Sequence, residues 1–130
     1  MLTYSQGITK EQFVNEMIEH QKADHFLQGT YSEGEKGCAV GCGIKSINKL
    51  KGLSENAGNH SAIETHLGWP EWFAKLEDTI FENVSLERSK KWPVEIAKAI
   101  PEGVDLEKAR VPVIVMILEY NLKSLDKCKF

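Results

Sequence analysis

The sequence predicts an all-α fold: a single compact domain, residues 1–130, of five or six helices around an apolar C-terminal helix. Three observations carry that expectation. Residues that start and stop helices recur along the chain. Apolar residues between them repeat at helical spacing. No set of alternating segments offers partner strands for a sheet.

Taken in order, Thr9 caps a first helix from Lys10, with Gln12 as its capping-box partner, and Phe13, Val14, Met17 and Ile18 as its apolar residues. Gly29 is its expected end, and the loop TYSEGEKG follows. A second helix starts near Cys38 and runs toward Leu50; Gly52, Gly58 and Asn59 mark the next break. Ser61 to Leu67 forms a short helix stopped by Gly68. Pro70 and Pro93 suit the first positions of PEWFAKLEDTIFENV and PVEIAKAI, the latter ending before Pro101. Asp105 caps the last helix, LEKARVPVIVMILEYNLKSL, whose middle is apolar on nearly every side and so belongs at the centre of the fold. VPVIVMIL alone also fits a buried strand, but it has no partners.

Composition narrows the function. With 42% hydrophobic and 27% charged residues the chain is not a disordered polypeptide. A net charge of −3 gives no argument for nucleic acid or an anionic membrane. No apolar run reaches the length of a membrane span. The N-terminus shows no secretory pattern, so the three cysteines are expected as reduced thiols in the cytoplasm.

Polar residues that fall on apolar faces are the first site candidates, because burying them unpaired is costly. His20 and Asp24, four residues apart, fall on the stripe of Phe13, Met17 and Leu27. Glu77 falls within the arc of Phe73, Leu76, Ile80 and Phe81. Asp78 and Glu82 fall outside that arc and read as a solvated face. Trp69, Trp72 and Phe73 read as packing residues rather than a base-stacking platform.

The stretch GEKGCAVGCGIKS, residues 34–46, concentrates the remaining chemistry. It fails as a phosphate loop, since Ile44 precedes Lys45 where glycine is needed and no strand leads in. Cys38, Cys42, His60 and His66 have the residue types of a zinc clip but not a finger's spacing. A carboxylate metal site from Glu16, His20, Asp24, Glu64 and Glu77 lacks the E-x-x-H pattern. The sharpest reading is a reactive thiol. Cys38 at a helix start, amid Lys36, Lys45, Lys49 and Lys51, is placed to favour a thiolate. His20 would be its base, Asp24 the orienting carboxylate and Glu77 a polar neighbour. The glycines would let a substrate approach. Set against this, Cys38 and Cys42 read equally as small buried hydrophobes, and Cys128 sits in a basic tail.

The segments Gly29-Thr30-Tyr31, GCAVGC and HLGWPEWFAKLEDTIFE resemble those of uncharacterised bacterial and phage proteins, over about residues 20–102. The resemblance implies no activity. Three functions therefore stand as expectations. The first is a thiol-centred enzyme for a small anionic substrate held near Lys36 and Lys45. The second is a non-catalytic protein that binds a host or phage component. The third is a metal-dependent hydrolase using a histidine and carboxylate cluster. No cofactor is expected, and nucleic acid is disfavoured because the basic run lacks interleaved aromatics.

Overall fold

The N-terminal capping box forms as its sequence requires. Thr9 Oγ1 accepts from the Gln12 amide and Gln12 Oε1 accepts from the Thr9 amide, at 3.1 and 2.9 Å. A computed structural model describes residues 1–116 and 118–119, and within them the chain is all-helical. In order the elements are α1 (Lys10–Lys22), α2 (Ala39–Lys51), α3 (His60–Leu67), α4 (Glu71–Asn83), α5 (Leu86–Ser89) and α6 (Trp92–Ala99). A 3₁₀ turn, Leu106–Ala109, follows and runs into helical residues 110–116. Among the described residues no strand forms; the chain makes only the isolated bridges Phe26 with Gly37 and Glu33 with Lys36.

The centre of the fold is α2. Val40, Cys42, Ile44 and Ile47 are fully buried. They meet Phe13 and Met17 from α1, Ala62, Ile63 and Leu67 from α3, and Ala74 and Phe81 from α4. Each large apolar side chain so buried contributes roughly 1.5–3 kcal/mol. Phe13 and Trp69 close the core edge-to-face at 5.6 Å. The N-terminal strap is tied to α6 and the segment after it: Thr3 donates its amide to Val104, and Tyr4 donates its hydroxyl to Ala97.

Two expectations change. The last helix does not sit at the centre. Val111 and Met116 are 68% and 62% exposed, and of residues 110–116 only Val113 is partly covered. The glycine-rich, smaller α2 takes that place because its neighbours can close on it from several sides; residues 117 and 120–125 of the predicted helix, and Cys128, lie outside the described residues. The first helix ends at Lys22, not at Gly29. Asp24 has a left-handed backbone (φ 57°), which breaks the helical path and starts an irregular loop to Gly37. Among the described residues no helix is long and apolar enough to cross a membrane.

Candidate functional site

Cys38 is the N-cap of α2, and its Sγ accepts a hydrogen bond from the Gly41 amide at 3.4 Å. The sulfur replaces the oxygen that serine or threonine would supply there. The loop before it folds back on α2. Cys38 donates its amide to Thr30, Gly37 to His25 and Leu27 to Gly37, at 2.9, 2.9 and 2.8 Å. Lys45 Nζ donates to the carbonyls of Gly34 and Lys36, pinning the loop's tip. The Tyr31 carbonyl is thereby pressed against Gly37 and Gly41, where any side chain would collide with it. The close approach that these glycines permit is thus made by the protein's own backbone rather than by a substrate.

The opposite wall comes from α4. Asp78 and Glu82 are one turn apart and share a face. Glu82 Oε2 accepts from the Gly29 amide at 2.8 Å, which fixes the loop to the helix. Gly29, Thr30, Tyr31, Cys38, Asp78 and Glu82 line an open pocket of about 220 Å³. One donor atom each from Cys38, Asp78 and Glu82 lie within 4.8 Å of one another. Asp78 Oδ1 is buried without a hydrogen-bond partner among the described residues.

The electrostatics run against the sequence expectation. Cys38 is 1% exposed, and burial pushes its thiol well above the usual range. The Gly41 amide pulls the other way, while a hydrogen bond from the thiol to the Asp78 carboxylate, and that carboxylate's charge, add to the rise. The lysines expected to favour a thiolate do not line this pocket.

The predicted site residues are spread over several regions. His20 Nε2 meets Ser46 Oγ at 3.1 Å and its Nδ1 meets His25 Nδ1 at 2.9 Å, in a separate open pocket with Lys45 and Glu16. Asp24 is exposed and pairs with Lys90 at 2.9 Å, and that bond holds its carboxyl below the ordinary value. The expected His20–Asp24 pair is absent because α1 ends before residue 24. Glu77 is buried as its helical position predicts, but it faces the core beside an apolar cavity with Phe73, Ile80 and Trp92. Cys42 is buried and its thiol points at the Gly37 carbonyl at 3.4 Å; burial pushes it up to about 11. His60 meets Tyr31 edge-to-face, and His66 lies between Lys51 and Glu55. The structure therefore brings together neither Cys38, His20, Asp24 and Glu77 nor Cys38, Cys42, His60 and His66.

Sequence reasoning missed Asp78 and Glu82. Both do fall outside the apolar arc of α4, and Glu82 is exposed. Helical periodicity cannot show that a loop from elsewhere closes over that face. The segments that carried the resemblance, Gly29–Tyr31, GCAVGC and LEDTIFE, are the ones that meet at this pocket. No protein-family model matches the sequence, and no curated protein or solved structure matches it.

Proposed function

We propose that this protein binds a divalent metal ion through Cys38, Asp78 and Glu82, with the open side of the ion facing the pocket under Tyr31. One observation carries the reading: three donor atoms of metal-ligating type lie within 4.8 Å of one another, and one of the carboxylate oxygens, Asp78 Oδ1, is buried without a hydrogen-bond partner among the described residues. A buried thiol facing two carboxylates, one half-buried and one exposed, is a poor nucleophile, since ionising it would add a third negative charge to the cluster. A divalent cation reverses that balance. It binds the thiolate, satisfies Asp78, and is complemented by the amide that Gly41 already directs at the sulfur. Mixed sulfur and oxygen donors suit zinc and its neighbours better than magnesium or calcium.

Three protein ligands leave room for a water or a substrate atom, as in hydrolytic metal sites. The reading thus keeps the metal-dependent chemistry considered from sequence but moves it to a different ligand set. It also replaces the small anion near Lys36 and Lys45, because Lys45 is occupied by two carbonyls. Cobalt(II) titration tests it. The wild-type protein should develop near-ultraviolet thiolate-to-cobalt charge-transfer absorption. Cys38→Ser should abolish that band, and Asp78→Asn and Glu82→Gln should weaken binding. A wild-type protein without the band, or a Cys38→Ser protein that keeps it, overturns the assignment.

A further inference from the structure

The loop that walls the Cys38 pocket is rooted at a histidine pair. Ser46 Oγ donates to the Cys42 carbonyl at 2.9 Å, so the 3.1 Å contact with His20 Nε2 requires that nitrogen to carry the proton. His20 Nδ1 is then bare, and it accepts from His25 Nδ1–H at 2.9 Å. This chain links α1, the loop and α2. The His25 main chain continues the anchorage: its amide donates to His20, and its carbonyl accepts from Gly37, next to Cys38.

We infer that the His20–His25 hydrogen bond is an acid-sensitive latch: it anchors the end of the loop where His25 and Leu27 pair with Gly37, beside Cys38, and loosens that end when both imidazoles are protonated. With no added proton, the pair is bonded. With one proton on His25, Nδ1–H still donates to His20, and Nε2–H faces Glu35 at 3.6 Å. With a second proton on His20, two N–H groups confront each other at hydrogen-bond distance and the bond is lost. The surroundings set when that happens. His20 faces Glu16 on its own helix, Lys45 and Lys49 on α2, and His25 on the loop; His25 also faces Glu35 and Asp24. Burial, then His25 and the two lysines, hold His20 below the ordinary histidine value, while Glu16 opposes them. The latch is therefore closed at neutral pH and opens only on acidification.

The latch does not depend on the ion reading, and its test uses metal-free protein. Amide hydrogen exchange would be measured at about pH 7 and about pH 5, with rates converted to protection factors. In wild-type protein the Leu27, Gly37 and Cys38 amides should lose at least about tenfold in protection, while those of α6 hold theirs. His25→Asn offers an amide that can donate to neutral His20 or accept from protonated His20, so its loop should keep the same protection at both values. His20→Gln, which retains a donor toward Ser46, should behave alike and serves if the first variant folds poorly. Unchanged loop protection in wild-type protein, or an equal loss in a folded variant, overturns the inference.

Discussion

The carbonyl oxygen of Tyr31 lies where a side chain at Gly41 would have to be: an ideal Cβ there would sit 1.8 Å away from it. Replacing a helical glycine with alanine ordinarily stabilises a protein by about 0.5–1 kcal/mol. At position 41 the sign should reverse. The colliding atom is backbone, and the loop that owns it is tied down at Thr30 and Gly29. Gly41→Ala is expected to cost about 1–3 kcal/mol. Gly43 provides the contrast, because a Cβ there meets only Ile63 and Phe13 at 3.4 and 3.6 Å. Gly43→Ala should be neutral or mildly stabilising, and urea denaturation of the two variants checks the difference.

Native-state thiol labelling should be slow. Cys38 and Cys42 are 1% and 0% exposed, and burial raises both thiols. Alkylation of either in folded, metal-free protein at neutral pH is expected to run on the order of 100-fold below the rate in denaturant. Mass-spectrometric mapping of modified peptides against time gives the comparison. Rapid labelling of Cys38 alone would restore the nucleophile expected from its place at a helix start.

The contrast between these two predictions shows what the sequence could disclose. Local signals were legible because they act over a few residues. The Thr9 capping box, the start of α2 at Cys38, Gly68 as a stop and Asp105 as a cap all appear as read. Burial of Glu77 was legible from helical spacing alone. The site was not, because it depends on how a loop and two helices meet. Extending α1 to Gly29 put His20 and Asp24 on one face; the left-handed turn at Asp24 sends them apart. Counting lysines suggested an anion site, but Lys45 Nζ is directed at two carbonyls. The run at 111–118 reads as core by composition, whereas what fills a core is decided by which elements can approach closely.

Glu77 should make stability depend on pH in the direction opposite to a paired carboxylate. Burial, with a smaller contribution from Asp78, pushes its carboxyl from 4.5 up to about 8. Between those values the folded chain holds a proton that the unfolded chain has released. Stability is therefore full below 4.5 and falls as pH rises toward about 8. The loss is on the order of a few kcal/mol. Glu77→Gln keeps the shape and cannot ionise, so its stability should be flatter over this range and should exceed the wild type's at the alkaline end. Denaturation midpoints of both proteins across the range decide it.

Asp78 should be a liability to the metal-free fold and an asset to the metal-bound one. Its Oδ1 is buried with no hydrogen-bond partner among the described residues, and its carboxylate faces a thiol that it makes harder to ionise. Asp78→Asn removes the negative charge while conserving the volume. A buried polar atom left unpaired costs roughly 1–3 kcal/mol, more when charged. The variant should therefore raise the metal-free melting temperature, equivalent to about 0.5–2 kcal/mol, while weakening cobalt(II) or zinc binding. Melting with and without added metal separates the two effects. Wild-type protein should gain stability from the ion, whereas the variant should start higher and gain less. If the variant melts lower without metal, Asp78 is a structural acceptor and not a ligand held ready for an ion.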